Sequence, residues 1–249
     1  MQKAKRYRDL TIMDFGEKSL VFSCDTSSSS GEKPSDYLKV SPELTARYCL
    51  RVALIELLAI NADPTMTFNL LGNELNPTGE KMLEGIKSEL EIAGYPELMQ
   101  NGSTEENMPT LMTSVSILLV GEVSNDMILI NKAKAGNLVI QVGRRAMGTE
   151  VLKFEEKMVR YDDVKKLRSL PEVKEIVPVG SKGILYEAET LAEVNGLSFK
   201  LDNDLQEDPE LNKSAGPAST VLIAVEEEML DSILETFKDR EARFIGKLI

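Results

Sequence analysis

The chain has 249 residues, 42% of them hydrophobic and 28% charged, with a net charge of −12. That length supports one large domain or two ordinary ones around a sizeable core, and the acidic balance argues against a nucleic-acid binder, which needs a positive field to neutralise phosphates. There is no histidine, which excludes Ser-His-Asp and Cys-His nucleophile systems, His-ligated zinc and imidazole acid–base chemistry. Polar chemistry must rest on carboxylates, Lys and Arg, hydroxyls and backbone amides.

The chain opens on a basic cluster of Lys3, Lys5, Arg6 and Arg8, which reads as a solvated arm, with an anion contact as the alternative. Nothing there resembles a signal peptide. Ser19–Cys24 is a short β-like run ending at Asp25, followed by a polar loop from Thr26 through the serines Ser27–Ser30 to Gly31, Lys33 and Pro34. Ser41 followed by Pro42 is a helix start, and the helix extends to Ile60, where Asn61-Ala62-Asp63-Pro64 stops it. Met66–Leu71 is a predicted strand. Thr78–Ala93 carries Met82, Leu83, Ile86, Leu90 and Ala93 on one face, an amphipathic helix closed by Gly94. Asn101–Asn107 reads as a polar loop and Ser114–Val120 as a strand.

The pattern changes near Glu122-Val123, which predicts one domain over 1–122 and a second over 123–249. The second half predicts strands at Leu138–Val142, Val173–Val177, Leu197–Leu201, Thr220–Val225 and Ala242–Leu248. Helices are predicted over Asp162–Leu170, Gly183–Asn195 and Glu226–Phe237, and the acidic stretch Asp202–Lys213 reads as a surface loop. Cys24 and Cys49 show no C-x-x-C spacing and read as reduced thiols of a cytoplasmic protein. The longest apolar run, Val52–Ile60, is short and interrupted by Glu56, so no membrane span is expected.

Glu56 is the most informative single residue. Its neighbours three and four positions away are Val52, Ala53, Ala59 and Ile60, all apolar, and it lies off the polar stripe of Glu43, Arg47 and Arg51. A carboxylate so placed needs a cation, a hydrogen-bond network or a raised pKa. It reads either as a Mg²⁺ ligand or acid–base group, or as a structural partner of Lys or Arg. Asp25, at a strand end, is a ligand group or a solvated turn carboxylate. The loop Thr26–Lys33 offers hydroxyls, amides and Lys33 to a phosphate, yet lacks the leading glycine and spacing of a Walker A loop; a flexible serine loop is the alternative. Asn101-Gly102-Ser103-Thr104-Glu105-Glu106-Asn107 gathers hard oxygen ligands suited to Mg²⁺, or is a solvated turn. Gly180-Ser181-Lys182-Gly183, before a helix, and Lys213-Ser214-Ala215-Gly216-Pro217, before a strand, are second-substrate contacts or ordinary turns.

In this order the pieces resemble the AIR synthase-like superfamily. Cys24-Asp25-Thr26 through Gly31-Glu32-Lys33 is similar to its Thr-Asp-Gly-x-Gly-Thr-Lys loop with an insertion, and Val52–Pro64 to its Asn-Asp-x-x-x-x-Gly-Ala-x-Pro helix, with Glu56 where the metal-binding Asp stands. Asn101–Thr104 resembles its Gly-Gly-(Asp/Glu)-Thr loop, and Gly136-Asn137 with Val142-Gly143 the opening of its C-terminal domain. Within the superfamily, the serine loop, Thr104–Asn107, Gly180–Gly183 and Ser214–Pro217 look most like the alpha-ribazole kinase branch. The resemblance implies an α+β protein of two domains, an N-terminal ATP-binding domain and a C-terminal α/β sandwich domain that helps bind the acceptor. It also implies a homodimer, and ATP-dependent phosphorylation of a small-molecule acceptor, the nucleoside alpha-ribazole of cobamide salvage. Carried over, it assigns Asp14, Asp25, Glu56 and Glu105 to Mg²⁺, and Lys33, Asn101, Ser103 and Thr104 to ATP. Ser103 stands where the family has a carboxylate, which leaves Glu105 or Glu106 to supply it, and serines replace glycines in the phosphate loop. An ATP-binding regulator without turnover and a related ATP-dependent ligase are the alternatives.

Overall fold

A computed structural model describes residues 4–249, so Lys3 lies outside the described residues. The described chain divides into two compact units, one of residues 4–57 and 62–127, the other of 58–61 and 128–249.

The first unit contains β1 (Ala4–Tyr7), β2 (Leu10–Asp14), β3 (Lys18–Ser28), the two-residue strands β4 (Ser30–Gly31) and β5 (Leu38–Lys39), helix α1 (Pro42–Ala59), β6 (Asp63–Leu71), helix α2 (Glu80–Ala93), β7 (Met99–Thr104) and β8 (Ser114–Ser124). Six strands form one sheet in the order β1-β2-β3-β8-β6-β7. β6 and β7 run parallel and the other neighbours antiparallel.

One face of this sheet is apolar because strand side chains alternate. Val21 of β3 and Val115, Ile117 and Leu119 of β8 are buried, as are Leu10 and Ile12 of β2. Leu50, Leu54 and Leu57 of α1 are fully buried, with Met82, Ile86 and Leu90 of α2. A Cβ at Gly85 would stand 2.2 Å from the Glu43 carbonyl oxygen, so α1 and α2 approach closely where only glycine fits. Gly94 ends α2 at φ 82°, its N–H returning to the carbonyls of Leu90 and Glu91. Leu83, expected on the buried face of α2, is partly exposed; Glu89 is buried instead and pairs with Arg47 at 3.0 Å.

Three stretches of this unit depart from the sequence reading. β3 does not end at Asp25 but runs on to Ser28, paired residue by residue with β8. Its hydroxyls find cross-strand partners, Thr26 Oγ1 with Ser116 Oγ and Ser28 Oγ with Ser114 Oγ, both at 3.0 Å, so a sequence that looks like a loop is held as a strand. Met99–Thr104 is an edge strand parallel to β6. The basic arm is a hairpin, β1 on β2, turned through Arg8 and Asp9.

The second unit holds β9 (Leu138–Val142), α3 (Thr149–Phe154), α4 (Tyr161–Arg168), β10 (Val173–Pro178), α5 (Gly183–Val194), β11 (Phe199–Leu201), β12 (Val221–Val225), α6 (Leu230–Thr236) and β13 (Arg243–Leu248). Its five strands form an antiparallel sheet in the order β10-β12-β9-β13-β11. β9 and β12 are buried at every position; β12 is apolar throughout, and β9 is apolar but for Gln141, whose amide donates to the Gly143 carbonyl and accepts from Arg243. Ile184, Ala188 and Leu191 of α5 pack with Val139, Val177, Leu222 and Ile245. The helix α3 was not expected. The acidic stretch 202–213 is pinned by two short 3₁₀ turns, capped by Asp202 and Asp208, and by the buried Leu211. The chain is therefore an α+β protein. Among the described residues no helix is long and apolar enough to cross a membrane.

Candidate functional site

The pairing of β2 with β3 ends at Leu10 opposite Ser23, while β3 continues to Ser28 with β8 on one edge only. The hairpin tip and the bare stretch of β3 enclose a cavity of about 360 Å³ above α1. It is lined by apolar Leu10 and Val52 and by Arg6, Asp9, Thr11, Cys24, Asp25 and Glu56. Asp25 and Glu56, distant in sequence and on different elements, thus meet at one site. Asp9 was not singled out from the sequence, and Arg6 was named only within the basic cluster, as part of a solvated arm or an anion contact. The two-residue turn Arg8-Asp9 lacks the Asn-Gly signature of a tight hairpin, and Arg8 adopts φ 52° without it.

Burial pushes the Asp25 carboxyl above its ordinary value, and the Asp9 charge adds to this against hydrogen bonds from the Cys49 thiol and the Thr26 amide. Cys49 itself is buried and donates to the Asp25 carbonyl oxygen at 3.4 Å. Burial and the Asp25 charge raise its thiol far above the usual range, so it is an inert structural group. A carboxyl raised in the folded state favours folding below its unfolded pKa, and that contribution is lost as pH rises through the folded value. Asp25→Asn should therefore raise the melting temperature at pH 7, by ~2–4 °C for each ~1 kcal/mol released, and the gain should vanish at acid pH; thermal unfolding at both values checks this.

Among the described residues, no group of three or more Cys, Asp or Glu side chains is placed to hold a metal by itself. Mg²⁺, however, commonly uses one or two protein carboxylates together with water and phosphate oxygens, and Asp25 with Glu56 fits that mode. Asp14 does not join them. It sits opposite Ser19 at the other end of the β2–β3 hairpin, roughly 20 Å away at about 3.3 Å per residue. There its carboxylate accepts from the Gly16 amide at 2.8 Å and holds the turn.

Lys33 does not line the cavity. Its amide donates to Asp36 Oδ2 at 2.8 Å and its Nζ pairs with Glu74 Oε2 at 2.6 Å. Burial opposes ionisation of Glu74, but Lys33 and Thr78 outweigh it and hold the carboxyl below its ordinary value. Beside Glu74, the Leu75 amide donates to Glu106 Oε1 at 2.8 Å, which also accepts from Thr104 Oγ1 at 2.7 Å. The Glu105 amide bonds the Asn73 carbonyl at 3.0 Å, and its carboxylate accepts from the amides of Asn107 and Met108. Lys33, Thr104 and Glu105 therefore gather around the 73–75 turn, with Glu105 occupied in its own loop and away from Asp25. Asn101 and Ser103 lie exposed on one face of β7, with Thr104 on the other.

In the second unit the two glycine loops touch: the Ala215 amide donates to the Gly180 carbonyl at 3.1 Å. Arg145, almost buried, fixes this corner through Glu150 at 2.8 Å, Glu210 at 2.8 Å and the Ser214 carbonyl at 3.3 Å. Gly183 has φ 89°, and a Cβ there would stand 2.7 Å from the Leu211 carbonyl oxygen.

No family model matches the chain, and no curated protein matches it. Solved structures do. The chain is similar to PurL of T. maritima complexed with ATP, at TM-score 0.70 and 16% identity, over 100% of this chain and 42% of that one. It is similar to thiamine-monophosphate kinase of Stenotrophomonas maltophilia, at TM-score 0.67 and 15% identity, over 98% of this chain and 88% of the other. A third similar structure is the Aquifex aeolicus enzyme complexed with AMPPCP and TMP, at TM-score 0.66 and 18% identity, over 96% and 84% of the two chains. The chain thus spans less than half the length of PurL and most of the length of the kinases. At these identities the likeness is one of fold, and the chain has the AIR synthase-like fold.

Proposed function

We propose that the chain is an ATP-dependent kinase of a small-molecule acceptor. The observation that carries this reading is the convergence of Asp25 and Glu56 on one cavity, in a fold shared with structures complexed with ATP and AMPPCP. In this reading 1–122 is the ATP-binding domain, 123–249 carries the acceptor loops, and the protein acts as a cytoplasmic homodimer.

Asp25 and Glu56 hold Mg²⁺, which offsets charge on the phosphate oxygens. Lys33 exchanges Glu74 for ATP phosphate oxygens, while Asn101, Ser103 and Thr104 supply amide and hydroxyl contacts from β7. Asp14 and Glu105 stay outside the metal set, each engaged in its own turn. The acceptor suggested by the sequence resemblance is the nucleoside alpha-ribazole. The test is transfer of labelled phosphate from Mg·ATP to alpha-ribazole, thiamine monophosphate and a panel of nucleosides. A phosphorylated nucleoside supports the reading, and no transfer to any acceptor at saturating Mg·ATP refutes it. ATP binding without turnover would favour a nucleotide-binding regulator, a reading supported by Asp14 and Glu105 standing apart from Asp25.

A further inference from the structure

We infer that Arg6 is the oxyanion contact of the hairpin-tip cavity, its guanidinium binding the oxygens of a phosphoryl group held there. The inference rests on the ATP reading above and adds a residue to it.

Arg6 and its cross-strand partner Thr11 line the same cavity as Asp25 and Glu56. Its Nε donates to the Arg8 carbonyl at 2.8 Å, which fixes the guanidinium at the hairpin tip. Among the described residues the remaining edge pairs with Asp9, at 4.0 Å, with the two side chains 82% and 70% exposed. That separation is beyond a hydrogen bond, and an ion pair so exposed contributes little, so a ligand displaces it readily. A planar guanidinium with paired donors matches a phosphoryl group better than a lysine does. Three carboxylates, Asp9, Asp25 and Glu56, line the cavity with this one cation, so an anion enters with Mg²⁺ rather than alone. Nearby, Ser23 Oγ is buried with no hydrogen-bond partner among the described residues. It lies on the Asp25 face of β3, opposite Leu10 of the cavity lining, and a buried polar group of this kind marks an incomplete local network. Lys5, the adjacent residue, points to the face of the sheet that carries Ile12 and Val21 but does not line the cavity, and serves as a control for net charge.

The experiment is calorimetric titration of Mg·AMPPCP into the full chain, for wild type, Arg6→Gln, Arg6→Lys and Lys5→Gln, with thermal unfolding of each. Arg6→Gln should bind at least ~10-fold more weakly, as loss of a charge-assisted contact predicts. Arg6→Lys should recover part of the loss, and Lys5→Gln should stay within about twofold of wild type, as an exposed charge without a contact in the cavity contributes little. Wild-type affinity in Arg6→Gln overturns the inference and leaves the ATP reading standing. An equal loss in Lys5→Gln also overturns it, because the effect is then one of overall field. Absence of binding to wild type removes the ATP reading itself.

Discussion

Glu56→Gln should abolish the Mg²⁺-dependent part of ATP binding. The substitution keeps the size of the side chain and removes its charge, at a position half-buried on α1 and lining the cavity shared with Asp25. A charge-assisted contact contributes roughly 1.5–3 kcal/mol, so affinity for Mg·ATP should fall about 10- to 100-fold, with affinity for metal-free ATP little changed. Calorimetric titration of ATP with and without Mg²⁺ measures both, and a melting curve separates loss of binding from loss of structure. Equal Mg²⁺ dependence in wild type and mutant would make Glu56 a structural carboxylate. No ATP binding to wild type would leave the relationship to PurL and the thiamine-monophosphate kinases as one of fold only.

The second large effect is on stability. Asp36 is 5% exposed and accepts three hydrogen bonds, from the Thr113 amide at 2.8 Å, the Thr113 hydroxyl at 2.6 Å and the Lys33 amide at 2.8 Å. Asp36→Ala leaves the donors of fully buried Thr113 unsatisfied, at ~1–3 kcal/mol each, so a loss of about 3 kcal/mol or more is expected. At 2–4 °C per kcal/mol this lowers the melting temperature by roughly 6–12 °C. The packing here has no slack, since a Cβ on Gly31 would fall 2.0 Å from Thr113 Oγ1 and 2.7 Å from Asp36 Oδ2. Burial alone would raise the Asp36 carboxyl, but the Thr113 and Lys33 donors outweigh it and hold it below its ordinary 3.8. Its contribution is therefore complete above that value and is lost as pH falls through the lower folded value. The gap between wild type and mutant should be wide at pH 7 and narrow as pH falls below 3.8; a gap independent of pH would contradict this. Because Asp36 also holds the Lys33 amide, the mutant should bind ATP more weakly as well.

Much of the framework was legible because it is local. α1 and the end of α2 follow from apolar spacing, Pro42 at the first turn and Gly94 at the last. β12 follows from an unbroken apolar run and β9 from a run interrupted only by Gln141. The apolar surroundings of Glu56 marked it before any contact was known, and the missing histidines bounded the chemistry. The two cysteines are free, as their spacing implied. What spacing could not show was that Leu83 would face out and Glu89 in, because Arg47 of another helix supplies the partner that makes burial of a carboxylate tolerable.

The amino-acid sequence by itself determined the main helices, the central strands of the second unit and the polar groups available for chemistry. These depend on periodicities of two and 3.6 residues and on capping residues, all encoded within a few positions of one another. Tertiary structure decided which polar segments became strands and which carboxylates met. Ser27 and Ser28 extend β3 because β8 offers them partners far away in sequence, and Met99–Thr104 becomes a strand by pairing with β6. The same long-range pairing ends β2 short of β3's own end, opening the cavity where Asp25, Glu56, Asp9 and Arg6 converge, and leaves Asp14 at the far turn of the hairpin.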